Sequence, residues 1–236
     1  MPRKVLIDLN GKAVIDQLIE RVKRAKLVDL FVLCTSANPA DDALVEVAER
    51  NRISIFRGHE EDVLVRYRDA CRYFGIVFFA VTWGDEPLCD PGYVDKVLDT
   101  GIRESADYVY IEGLPTGTFA HGVRSIALEK VCENKADEFT EVWGRYFMDN
   151  PAIRRVKIVA KPRHRRHDIR LTLDYPEDLI LLRTIYEKLG SNGRYFDLDE
   201  IIGFLDANPE IRLINIHRET EYLERIECQA SYRLKS

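Results

Sequence analysis

Two short acidic turns carry the chemistry that this sequence offers most plainly. Gly84-Asp85-Glu86-Pro87-Leu88 follows the apolar run 76–82, and Asp174-Tyr175-Pro176-Glu177-Asp178 follows Ile169-Arg170-Leu171-Thr172-Leu173, which reads as a strand. An aspartate just past a buried strand projects beyond the sheet, and a glycine before it lets other groups approach the backbone closely. Two such carboxylates can hold a hard Mg²⁺ ion, which takes oxygen ligands and keeps places for water and phosphate. On spacing alone the commoner role of such an aspartate is a helix cap or a turn, and Asp90 and Glu177 read as plain capping acids.

The elements around these turns alternate. Val14, Ile15, Leu18, Ile19, Val22 and Ala25 recur at helical spacing and form one apolar stripe. Runs 28–34, 53–56, 76–82, 107–111, 156–160 and 169–173 read as strands. Segments 40–50, 60–73, 91–104, 125–134, 138–148, 176–189 and 198–207 read as helices, several opened by Asn-Pro, Asp-Pro or Tyr-Pro. This alternation predicts an α/β fold with a mostly parallel, Rossmann-like sheet flanked by helices. Ligands of such sheets bind beyond the carboxyl ends of the strands, where both acidic turns fall. Residues 1–210 are expected to form one domain and 211–236 a polar extension with a short helix.

Composition narrows the partners. The chain has 236 residues, 46% hydrophobic and 32% charged, enough for a core under a well-solvated surface. A net charge of −5 disfavours nucleic acid. The basic run 161–167 reads as a solvated loop, with an anion or partner contact as its alternative. Five scattered cysteines contain no Cys-x-x-Cys pair and give a zinc site no support. No apolar run reaches the ~18 residues of a membrane span. A cytoplasmic protein that binds neither membrane nor nucleic acid is expected.

Gly84-Asp85-Glu86-Pro87-Leu88 resembles the Gly-Asp-x-Pro-Leu motif of the cytidylyltransferases that activate acidic sugars, and of the related spore-coat polysaccharide group. Lys4-Val5-Leu6 with Asp8-Leu9-Asn10-Gly11-Lys12 is similar to the segment after that family's nucleotide loop. Glu61 to Tyr67 resembles a helix start of the spore-coat group, Leu173 to Leu179 the family's second metal turn, and Phe196 to Pro209 the end of its domain. The resemblance implies the nucleotide-diphospho-sugar transferase fold and attack of an acceptor oxygen on the α-phosphate of CTP, with pyrophosphate leaving. It implies Asp85 and Asp174 as Mg²⁺ ligands, Lys4 near the phosphates and Arg66 near the nucleotide. Gly84 and Glu86 would line the nucleotide or substrate pocket. A nucleotide, a small sugar-like acceptor and a second copy in a homodimer are the implied partners.

Three features depart from the family pattern. The segment matching the end of the phosphate-binding loop is Met1-Pro2-Arg3-Lys4, so the first strand and most of that loop are expected upstream, supplied by another segment, or swapped from a second chain. The gap should fall between runs 28–34 and 76–82. Arg124 and Ile126 stand where the spore-coat group has acids, and Glu141-Val142-Trp143-Gly144 replaces its Glu-His-Val-Thr. Phe139, Trp143, Tyr146 and Phe147 are expected in the core or an interface. A catalytically inactive relative serving as a binding or assembly subunit is the alternative reading.

Overall fold

The computed structural model describes residues 3–230 and 232–235. After a 3-10 turn at Lys4–Leu6 come β1 (Asp8–Leu9) and β2 (Lys12–Ala13), closed by an Asn-Gly turn. Asn10 at φ 59° and Gly11 at φ 82° both take the left-handed region that a two-residue hairpin of this type requires. Then follow α1 (Val14–Val22), β3 (Val32–Ser36), α2 (Ala43–Asn51), β4 (Ser54–Gly58), α3 (Val63–Phe74), β5 (Phe78–Val81) and α4 (Pro91–Arg103). The second half contains β6 (Tyr108–Glu112), β7 (His121–Arg124), α5 (Ser125–Asn134), α6 (Arg145–Met148), β8 (Arg155–Val159), α7 (Pro176–Leu189), α8 (Leu198–Ala207), α9 (Pro209–Arg212) and α10 (Arg218–Gln229).

The helices start where local chemistry satisfies their first N–H groups. Asp62 accepts from the Val65 N–H at 3.1 Å, Asp90 from Tyr93 N–H at 3.0 Å, and Asp197 with Glu200 forms a capping box on α8. Proline stands at the first turn of α4 and α7. Asp62 also receives the buried Lys135 ammonium and the Thr140 hydroxyl, which ties α3 to the segment after α5.

The strands form two larger ladders. β3 pairs with β4 in parallel, and a four-stranded sheet runs in the order β5-β7-β6-β8, with β7 antiparallel to both neighbours. The fold is the expected α/β type with helices flanking a sheet; the expected parallel pairing holds for β3–β4 and β6–β8, and the reversed β7 makes the sheet mixed. Among the described residues no strand joins β3 to β5, the position where the sequence pattern leaves a gap. One apolar cluster joins α1, α2 and α4 to the sheet, and another joins α3 and α5 to Val81, Tyr108 and Val123. A third lies under α7 and α8 and includes Leu9, Leu88 and Leu173 from the turns themselves. Each large aliphatic side chain buried there contributes about 1.5–3 kcal/mol.

Several expectations change. Residues 169–173 form no strand and make only an isolated bridge, Thr116 to Arg170, and 138–148 keep helix only at Arg145–Met148. Trp143, Tyr146 and Phe147 are core, whereas Phe139 is exposed. The basic run 161–167 is built in rather than merely solvated: His164 is buried against the Tyr93 hydroxyl, and Arg166 pairs with Asp168 and Asp206. Arg124 donates to the carbonyls of Ala106 and Gly101 and holds the end of β7. Among the described residues no helix is long and apolar enough to cross a membrane.

Candidate active site

The two acidic turns meet through their backbones. The Leu173 N–H donates to the Asp85 carbonyl at 2.9 Å, and the Leu171 N–H to the Thr116 carbonyl at 2.7 Å. This fixes segment 170–174 against the loop after β5. Within it the Arg170 guanidinium donates to Asp174 Oδ2, so the two ends of the segment are also joined through their side chains.

Lys4 connects the pair. Its ammonium lies 2.5 Å from Asp85 Oδ2 and 2.9 Å from Asp174 Oδ1, so both carboxylates reach one cation position. Burial opposes the charge on Lys4, but Asp85 and then Asp174 outweigh it and hold the ammonium above its ordinary pKa. Burial likewise opposes the Asp174 charge, yet Lys4 and Arg225 pull its pKa below the usual carboxylate value.

Two further arginines complete the corner. Arg170, fully buried, donates to Asp174 Oδ2 at 2.9 Å, to both Asp178 oxygens at 3.0 and 3.1 Å, and to Glu219 Oε2 at 3.0 Å. Asp178 in turn accepts the backbone N–H groups of Asp174 and Tyr175 at 2.8 and 2.9 Å, which shapes the turn into α7. Arg225 reaches back from α10 to Asp174 Oδ1 at 2.9 Å and lies over the Tyr222 and Tyr175 rings. Neither arginine lies within the two acidic turns that mark the site in the sequence. The alternation Arg170-Thr172-Asp174 was a usable signal for Arg170, whereas nothing local points from Arg225 to a residue 51 positions away.

The remaining candidates fall around this centre in different ways. Glu86 is buried and accepts from the Thr82 hydroxyl at 3.0 Å and the Trp83 N–H at 3.4 Å, bracing its own turn. Burial first, and the Asp85 charge second, push its carboxyl well above the usual range. Gly84 packs tightly: a Cβ there would stand 3.2 Å from Val5 and 3.3 Å from Ile15. Arg66 donates to the carbonyls of His59 and Glu60, and no described hydrogen bond or ion pair joins it to Lys4, Asp85 or Asp174. It lines the same cavity as Gly84.

Asp85 and Asp174 are the side chains here that could hold a divalent ion of the magnesium type. Among the described residues no group of three or more His, Cys, Asp or Glu is placed to bind a metal. Two carboxylates within reach of one cation match an ion that draws its other ligands from water and phosphate. Arg225→Ala should remove one of the charges that depress Asp174, so the Asp174 pKa should rise in a carboxylate NMR titration. Because Arg225 is partly exposed, unfolding free energy should change by about 1 kcal/mol or less.

A nucleotidyltransferase-type α/β sheet with paired carboxylates beyond its strand ends defines the class. The chain belongs to the cytidylyltransferase family, whose model matches residues 1–216. It is 31% identical over 228 residues to an uncharacterized protein of Methanocaldococcus jannaschii, covering 95% of this chain and 93% of that one. It is 29% identical over 217 residues to the spore coat polysaccharide biosynthesis protein SpsF of Bacillus subtilis, covering 89% and 90%. The fold is shared with a cytidylyltransferase from Leptospira borgpetersenii at TM-score 0.81 and 22% identity, over 89% of this chain and 90% of that one.

Proposed function

We propose that this chain transfers a cytidylyl group from CTP to a sugar or similar small acceptor destined for surface polysaccharide. The observation that carries the reading is the convergence of Asp85 and Asp174 on one cation position, 2.5 and 2.9 Å from the Lys4 ammonium. Family membership supports the nucleotide, and the similarity to a spore coat polysaccharide biosynthesis protein supports the acceptor class.

Asp85 and Asp174 would hold Mg²⁺, which when bound neutralises phosphate charge as pyrophosphate leaves. Lys4 supplies a second positive charge at the same place, suited to the phosphate oxygens. Glu86, bonded to the Thr82 hydroxyl and the Trp83 N–H, braces the turn that carries Asp85. Arg170 and Asp178 hold the Asp174 turn rigid. Arg66, at the neighbouring cavity, would meet the nucleotide.

The test is pyrophosphate release from CTP with Mg²⁺ and a panel of acidic and neutral sugars. Asp85→Ala and Asp174→Ala should each lower the rate by about a hundredfold or more, and chelation of the divalent ion should abolish it. Unchanged rates in both variants would remove the roles given to the two aspartates. Release with another nucleoside triphosphate but not with CTP would remove the assigned base.

A further inference from the structure

α10 reaches the acidic corner from beyond residue 216, where the family match ends. None of its side chains is buried. Glu219, Tyr222 and Arg225 recur every three residues and share one face of the helix. Glu219 accepts from Arg170 at 3.0 Å and from the Thr116 hydroxyl at 2.6 Å, the Arg170 guanidinium lies 4.4 Å from the Tyr222 ring centre, and Arg225 donates to Asp174 Oδ1 at 2.9 Å. The chain is pinned on both sides of this helix. Before it, the fully buried Asn215 donates to the Arg170 carbonyl at 3.0 Å and to Asp178 Oδ1 at 2.8 Å. After it, the Ala136 N–H donates to the Arg233 carbonyl at 2.9 Å and the Lys235 N–H to the Asn134 carbonyl at 2.8 Å. α10 is thus a strap fixed at its ends and held across the corner by polar contacts instead of packing.

The contact at its centre is one that a bound ion must disturb. Asp174 Oδ2 accepts from Arg170, which is buried and tied to Asp178. Asp174 Oδ1 accepts from both Lys4 and Arg225, each at 2.9 Å. A carboxylate oxygen offers about two lone-pair sites, so Oδ1 is full. A divalent ion shared with Asp85 needs that oxygen, and a cation must withdraw from it. Lys4 still has Asp85. Arg225 has no second acid within ion-pair distance among the described residues, and its side chain is 41% exposed. The Tyr175 and Tyr222 rings, 5.7 and 5.3 Å from its guanidinium, keep it beside the site. A guanidinium left there next to a divalent ion needs an anion, and its planar fork of donors matches phosphate.

We propose that Arg225 is a phosphate-binding residue supplied by α10, which exchanges Asp174 for a phosphate oxygen when a divalent ion and a polyphosphate bind together. The exchange draws the strap onto the bound anion. It rests on the proposed reaction only in taking that anion to be a triphosphate.

Binding measurements on the full chain test this. Mn²⁺ alone, followed by electron paramagnetic resonance, should bind Arg225→Ala about fivefold more tightly than wild type, because a positive charge beside the ion is gone. Inorganic triphosphate, titrated calorimetrically at saturating Mg²⁺, should bind Arg225→Ala about tenfold more weakly, with Arg225→Lys in between. Amide exchange across Arg218–Gln229 should speed up with Mg²⁺ alone and slow down with Mg²⁺ plus triphosphate. A variant that binds both probes more tightly would make Arg225 a plug, and one that binds both more weakly would make it a brace for Asp174. Either result, no change with either probe, or no triphosphate binding by wild type overturns the proposal. CTP in place of triphosphate separates it from the proposed reaction. Triphosphate binding without CTP binding removes the nucleotide and leaves Arg225 its role. CTP bound equally by wild type and Arg225→Ala removes that role and leaves the nucleotide.

Discussion

Arg170→Met should lower the unfolding free energy by about 3–5 kcal/mol, the cost of leaving buried carboxylates without their cation. Arg170 is fully buried and its guanidinium contacts Asp174, Asp178 and Glu219. Methionine keeps much of the volume, so lost packing is a small part of the change. Arg170→Lys should fall between wild type and Arg170→Met, because one ammonium cannot reproduce the planar fork that serves three acids. The Arg170→Met/Asp178→Asn double variant should lose less than the sum of the single changes, because each already breaks the shared pair. Urea unfolding measures all three. The pH dependence supplies a sign. The folded Asp174 pKa is depressed, so its contribution is present above the unfolded value and is lost as pH falls through the folded one. Protonation of the acids that Arg170 faces removes the negative charge left uncompensated in Arg170→Met, so the gap between wild type and this variant should narrow on acidification. A gap that widens toward low pH would contradict the ion-pair account.

The parts of this fold that could be read in the sequence are those fixed by local chemistry. α5, α7 and α8 have the bounds their caps and periodicity predict, because Pro176 and Asp197 mark starts that neighbouring structure does not override. The apolar runs that became β3, β4, β5, β6 and β8 were legible for the same reason, to within a few residues. β7 was not. His121–Arg124 is four residues long inside a Gly/Pro/Thr stretch, and it is a strand because β5 and β6 both offer it an edge. Gly122 also permits the close approach of Phe78 and Val97, a tertiary requirement that no local pattern announces. The site divides along the same line. Asp85 and Asp174 were visible because each follows a strand-like run, apolar at 76–82 and alternating at 169–173, and stands in a turn. Their meeting depends on the Leu173 N–H to Asp85 carbonyl bond and on Arg225, both long-range.

Gly117→Ala should be the most damaging single methyl that can be added near the acidic corner. Gly117 lies at φ 89°, where an L side chain costs about 1–2 kcal/mol in backbone strain. Its added Cβ would stand 2.4 Å from the Thr172 nitrogen and 2.5 Å from the Leu171 carbonyl carbon. Those atoms are backbone and cannot rotate away, so segment 170–174 must move, at a further cost of about 1–3 kcal/mol. Gly11→Ala separates the two terms. Gly11 lies at φ 82° with nothing within 4 Å of its would-be Cβ, so it should show the backbone cost alone. Denaturation of the pair should thus give a larger loss at Gly117 by about 1–3 kcal/mol. Because the displaced segment carries Asp174 and donates the Leu173 N–H to Asp85, the same variant should separate the two carboxylates. Calorimetric titration with Mg²⁺ and CTP should then show weaker binding in Gly117→Ala and unaltered binding in Gly11→Ala. Equal stability losses at the two glycines would mean that segment 170–174 is free to shift, and that the corner is not held by the Thr116–Leu171 contact.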